Sequence, residues 1–324
     1  MDSKGFFLRR MEVGSADVVG GIQTAVVHNG LLYTTRDGWG TFMERPDVGS
    51  RAWLCVGIST GNPLVQTAAS TGGAGMLFTT TDGWDTFIKR SNAPAVAWRS
   101  IAISATNPLV QTGLGQINTI YTTTDGWATC TQRSNVGSRD WYQVVISATN
   151  PLVQTAVASL NQIYTTADGW DTFTARVGSR QFYAVAMSSS NHLVQTAVAY
   201  NGYLVTTNDG WVTFTDRTNT PANWQAVAIS SNPLIQTAVT SAASGTGEIF
   251  TTTDGWITMT KRTNVGSKTW RTIAISPDNP MVQTARDGYS YIAGYIYTTM
   301  DGWATFTQRA NVGSRPWTGL AMGK

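Results

Sequence analysis

Residues 141–176 read WYQVVISATNPLVQTAVASLNQIYTTADGWDTFTAR. Four short runs of apolar or β-branched residues stand out: Trp141–Ile146, Leu152–Val157, Gln162–Thr166 and Thr172–Arg176. Asn150-Pro151, a strong chain-reversal signal, separates the first two, and a D-G-W turn separates the last two. Four strands of about five residues joined by tight turns make one antiparallel sheet. No sustained 3.6-residue periodicity argues for a helix anywhere in the chain.

The same pattern recurs along all 324 residues. The phrase T-x-D-G-W-x-T places Asp37, Asp82, Asp125, Asp168, Asp209, Asp254 and Asp301 at intervals of 41–47 residues. A period near 40–50 with strand-like contents marks a propeller, one blade per repeat. The expected fold is therefore an all-β, seven-bladed β-propeller of four-stranded antiparallel blades, with residues 21–324 as a single domain. Residues 1–20 are left over; residues 6–15 resemble residues 306–314 but have no clear place. The array opens on a second strand (Ile22–Val27) and finishes on a lone first strand (Trp317–Met322). The last strand is expected to complete the first blade and so close the ring.

The phrase T-x-D-G-W-x-T-F resembles the Asp box, or BNR repeat, whose usual form is S/T-x-D-x-G-x-T-W. Asp-box propellers include sialidases, sortilin-type receptor domains, some xyloglucan hydrolases and photosystem assembly factors. The resemblance spans all seven repeats and implies the fold; its members do unrelated things, so it implies little about function. It assigns Thr35, Thr80, Thr123, Thr166, Thr207, Thr252 and Thr299, with the seven aspartates, to stabilising the turn between third and fourth strands. The closing aromatics Phe42, Phe87, Phe173, Phe214 and Phe306, with Cys130 and Met259 as substitutes, are expected to pack into the sheet. The sequence departs from the box at one place, carrying Trp39, Trp84, Trp127, Trp170, Trp211, Trp256 and Trp303 where the box commonly has glycine.

Composition narrows the function. Charged residues are 13% of the chain and the net charge is +3, with no basic run. Nucleic-acid binding needs clustered Lys and Arg, so it is excluded as an expectation. No segment is long and apolar enough to suggest membrane insertion. The start, MDSKGFFLRRMEVGS, lacks the pattern of a signal peptide, which predicts a protein cytoplasmic when made, then released or incorporated into a particle. Cys55 and Cys130 fall in different repeats and different strands, which argues against a disulfide.

The repeated positions give the candidate site. The turn tryptophans could stack on sugar rings or fold back as packing. The six first-strand tryptophans read as core. The Gln-Thr pair of each second strand, from Gln23-Thr24 to Gln283-Thr284, is expected to satisfy hydrogen bonds inside the array. A V-G-S-R/K linker offers a second candidate binding set in Arg51, Arg139, Arg180, Lys268 and Arg315. Two carboxylates facing one cleft, the usual glycosidase requirement, are not visible. Arg36, Arg99, Arg271 and Arg286 are the unrepeated arginines that a sialidase-like site would need by resemblance. No catalytic residue, metal ligand or cofactor is expected. The leading expectation is a non-enzymatic, multivalent, lectin-like module whose partner is carbohydrate or a protein surface. The alternatives are a structural or assembly subunit, forming a homo-oligomer or large particle, and an Asp-box glycoside hydrolase.

Overall fold

The computed structural model describes residues 21–71, 75–116, 119–159, 162–178, 180–217, 222–241, 246–289 and 291–324. The unplaced segment 1–20 and most of the fifth linker lie outside them. Every strand pairing is antiparallel, and the only helices among the described residues are four three-residue 3-10 turns. The fourth repeat runs Trp141–Ile146, Gln154–Ala158, Gln162–Thr166 and Thr174–Ala175, in that spatial order. The first and third strands fall where the sequence places them. The second starts two residues late because Pro151 and Leu152 belong to the turn. The fourth is shorter because Thr172 is consumed by the box turn. Five sheets have four strands each. The sixth has eight and comprises two four-strand units, joined where Gln23–Gly30 pairs with Arg51–Ile58. Within it the final strand, Trp317–Met322, pairs antiparallel with Gln23–Gly30, in register Gln23 to Met322 and Ala25 to Leu320.

The core lies between neighbouring repeats. One cluster combines Leu114 and Ile120 of the third repeat with Trp141, Val144, Tyr164 and Trp170 of the fourth. The first-strand tryptophans are buried, as their sequence pattern suggests, and sit edge-on to third-strand aromatics such as Tyr121, Tyr164 and Tyr297. Phe42, Phe87, Phe173 and Phe306 pack partly against the sheet, whereas Phe214 is exposed.

All seven turn tryptophans are 0–2% exposed. The expectation that they stack on ligand is corrected: Trp39, Trp84, Trp127, Trp170, Trp211, Trp256 and Trp303 have no free face. Each sits at φ between 69° and 77°, a left-handed conformation that strains a bulky residue by about 1–3 kcal/mol. Three contacts offset that strain. The tryptophan N–H donates to the box threonine hydroxyl at 2.9–3.0 Å. The indole Nε1–H donates to the glutamine Oε1 of its own repeat at 2.5–2.7 Å. The ring itself fills the space between sheets. Glycine would take this φ without strain but could supply neither indole nor volume.

The same glutamine oxygen accepts a second hydrogen bond from the second-strand threonine of the preceding repeat. Thr24 reaches Gln66, Thr67 Gln111, Thr112 Gln154, Thr196 Gln236 and Thr237 Gln283, at 2.6–2.7 Å. Thr284 reaches back to Gln23 at 2.8 Å, tying the last repeat to the first. The Gln-Thr pairs do satisfy hydrogen bonds within the array, and they also join one repeat to the next.

The box aspartates are turn stabilisers. Asp125 accepts from the Thr129 hydroxyl (2.6 Å), the Thr129 N–H (2.9 Å) and the Thr123 hydroxyl (2.8 Å), and the other six repeat this. These bonds hold Asp125, Asp168, Asp209 and Asp254 at a pKa of about 2. In Asp37, Asp82 and Asp301 burial pushes upward and the hydrogen bonds outweigh it, so these are lowered too. An unfolded aspartate titrates near 3.9. A depressed folded pKa gives stability that is present above about pH 4 and lost as the pH falls through 2. The urea midpoint should therefore be flat above about pH 5 and drop steeply between 4 and 2. An Asp→Asn change in one turn should lower the midpoint at pH 7 and shallow that drop; a midpoint that stays flat to pH 2 would refute the turn's role.

Candidate functional site

In each repeat the first strand carries a buried aromatic at or near its start and then skips one residue in its pairing. Trp98 pairs with Gly115 and Ser100 with Leu114, leaving Arg99 unpaired; the same shift skips Leu54, Tyr142, Tyr183, Gln225 and Arg271, and in the last strand Thr318. A β-bulge of this kind re-aims one side chain. All seven skipped residues line a single funnel of about 580 Å³. It gathers a residue from every repeat, and at the skipped position no residue type recurs more than twice.

Three unrepeated arginines meet there. Arg99 donates Nη1–H to Asp140 at 2.5 Å and lies 4.0 Å over the Tyr142 ring. Arg271 donates to Gln225 Oε1 at 2.5 Å and lies 3.7 Å over Tyr289. Its buried Nε has no hydrogen-bond partner. Arg286 replaces the small or aliphatic residue usual in its strand and is 6% exposed. It donates to Thr272 Oγ1, to the Thr318 carbonyl at 2.8 Å and to the Gly288 carbonyl. Burial, and then the charge of Arg271, hold Arg286 down at about 9. Burial also lowers Arg271. Arg36 is exposed and is not among the residues lining the funnel.

Tyrosines supply the wall. The Tyr142 and Tyr183 rings are 4.6 Å apart, and Tyr183 stacks on Tyr200 at 5.1 Å. Burial, then Tyr142, push the Tyr183 hydroxyl up to about 12, so it stays neutral. His28, in the strand Gln23–Gly30, meets Tyr291 edge-on at 4.6 Å. The funnel thus joins an aromatic wall to cationic donors, one of them unsatisfied. Such a site suits a ring-bearing anion.

The linker set is otherwise engaged. Arg51, Arg139, Arg180, Lys268 and Arg315 lie over Phe78, Tyr164, Tyr203, Tyr297 and Tyr33 at 4.6–5.3 Å. Arg139 also donates to the Tyr164 hydroxyl, and Arg180 pairs with Asp216. The structure does not bring these five together; it spreads them one to a repeat, each covering a ring of its own sheet. The linker valines are buried beneath them. Among the described residues no group of three or more His, Cys, Asp or Glu could hold a metal, and no helix is long and apolar enough to cross a membrane.

No family model matches this sequence, and no curated protein matches it. Solved structures do. A GH74 xyloglucanase from Xanthomonas campestris superposes with a TM-score of 0.72 at 12% identity, over 94% of this chain and 52% of that one. The fold is that of a β-propeller. A GH74 enzyme from Niastella koreensis gives 0.66 at 17% identity, over 93% and 54%. YCF48 bound to D1 peptide gives 0.58 at 15% identity, over 80% and 82%. The propeller spans about half the length of the GH74 enzymes it resembles. At these identities the likeness establishes fold and leaves activity open.

Proposed function

We propose that the protein is a non-enzymatic recognition propeller with one principal ligand site, the axial funnel, which takes an acidic carbohydrate. The seven four-strand units are its blades, and Trp317–Met322 closes the ring by completing the first. The pairing of that strand with Gln23–Gly30 and the bond from Thr284 to Gln23 support the closure. The observation that carries the ligand class is Arg271. It is deeply set, stacked on Tyr289, close to a second buried arginine, and has an Nε donor with no partner. A carboxylate or sulfate would satisfy it, while Tyr291, an exposed residue of the funnel lining, offers a ring to the sugar. The acids nearby are committed, Asp140 to Arg99 and Asp287 to the Tyr295 N–H at 2.5 Å, which supports binding without hydrolysis. Burial of the repeated tryptophans leaves no multivalent site through them.

Titration with hexuronate oligomers tests this reading. Wild type should bind them, with neutral oligomers of equal length at least tenfold weaker, and Arg271→Gln should lose about tenfold or more in affinity. Binding equal for charged and neutral oligomers, or undiminished in Arg271→Gln, would refute it.

A second reading, an assembly subunit that docks on protein, draws on exposed leucines at the other end of the same blades. Leu109, Leu152, Leu193 and Leu234 are 41–50% exposed just after the first strands. The YCF48 structure, which holds a peptide, shares this fold. Stable recovery of the protein in a large particle would favour that reading; a monomeric mass in cell extract would weigh against it.

A further inference from the structure

Neighbouring blades are bolted together by three kinds of contact. Six junctions have the threonine-to-glutamine bond described above. At four, among the described residues, a linker asparagine (Asn92, Asn135, Asn264 or Asn311) donates Nδ2–H to carbonyls of the next D-G-W turn at 3.0–3.1 Å. At two, the outer-strand arginine pairs with an aspartate just after the next turn tryptophan: Arg45 with Asp85, and Arg133 with Asp171.

The junction between the fourth and fifth blades has none of the three. Thr155 is 1% exposed, and its hydroxyl has no partner. The linker passes from Arg176 directly to Val177, so the asparagine position is missing. The residue after Trp211 is Val212, so Arg176, held by Nε to Thr165 Oγ1 at 3.1 Å, meets no carboxylate ion-pair partner among the described residues. A cleft of about 300 Å³ opens here, against about 170 Å³ between the fifth and sixth blades and about 50 Å³ between the seventh and first. Thr155, Phe173, Arg176, His192, Leu193 and Val212 line it. Asp209 also borders it, but its oxygens are taken by Thr213 and Thr207.

We propose that this cleft is a second binding site, for a single hexuronic acid or a terminal one on a longer glycan. The ligand's carboxylate occupies on Arg176 the place that Asp85 and Asp171 occupy on Arg45 and Arg133. A ring or hydroxyl oxygen accepts from Thr155, filling the unmade inter-blade bond, and the apolar face of the pyranose rests on Leu193 and Val212. The site is remote from the funnel and does not depend on the function proposed for it.

The test uses glucuronate, with glucose as its neutral counterpart, and calorimetry on protein whose funnel is silenced by Arg271→Gln or, should that variant misfold, Tyr183→Ala. Glucuronate should bind with one-to-one stoichiometry and glucose at least about tenfold more weakly. Val212→Asp installs the plug already present in the second and fourth blades; it should keep or raise the melting temperature and abolish binding. Arg176→Leu should weaken binding about tenfold, and Thr155→Val severalfold. Absence of glucuronate binding in the folded funnel-silenced protein, equal binding of glucose, or binding that survives Val212→Asp would each overturn the assignment, and none of these bears on the funnel.

Discussion

A chain ending at Arg315 should fail to fold. The nine residues removed include Trp317, which is fully buried, and Leu320 and Met322, each under 10% exposed. Loss of the tryptophan alone costs about 3–5 kcal/mol by analogy with core truncations. The strand also pairs with Gln23–Val27, and its Thr318 hydroxyl donates to the Trp53 carbonyl at 2.9 Å. Together these approach the whole stability of a typical domain, about 5–15 kcal/mol. Removal also bares the edge of Gln23–Gly30 to other chains. Circular dichroism should show no cooperative thermal transition, and a peptide of residues 316–324 added in trans should restore one in part. A truncated protein that melts at the wild-type temperature would show that the last strand does not close the ring.

The second large effect concerns the turn tryptophans. Trp127→Ala should destabilise by about 3–5 kcal/mol, because a 1%-exposed ring and its bond to Gln111 are lost together. Trp127→Gly removes one more carbon yet should cost no more than the alanine change, since glycine takes φ near 71° without strain. Chemical denaturation of the two variants decides the point. Alanine clearly more stable than glycine would mean that the turn's strain is negligible.

These two cases show what the sequence displays and what it hides. The four-strand repeat and the pairing of the last strand with the first were legible because the fold is local and repeated: Asn-Pro marks one reversal five times and the D-G-W turn another seven times. The Gln-Thr pairs were legible as internal satisfaction, although their second partner, on a neighbouring blade 40 or more residues away, was not. Burial of the tryptophans was one of two readings left open, because it is decided by a left-handed backbone and a glutamine in another strand. A bulky side chain at a turn gives no sign of pointing inward. The funnel was half visible. Arg99, Arg271 and Arg286 stood out only as unrepeated; the bulge that aims Arg99 and Arg271 at the axis is a register shift that residue type does not encode. The absent bolts at the fourth and fifth blades left two traces, the linker shortened before Val177 and Val212 where two other repeats carry aspartate.

The central claim is that repetition in this chain serves the fold, while ligand recognition resides where repetition lapses. Affinity for a hexuronate oligomer should be measured in two sets of variants of confirmed stability. Arg271→Gln and Tyr183→Ala alter the unrepeated funnel; Arg51→Gln and Lys268→Gln alter the repeated linkers. Loss of about tenfold or more in the first set with wild-type affinity in the second is the predicted result. Loss confined to the linker variants would contradict it.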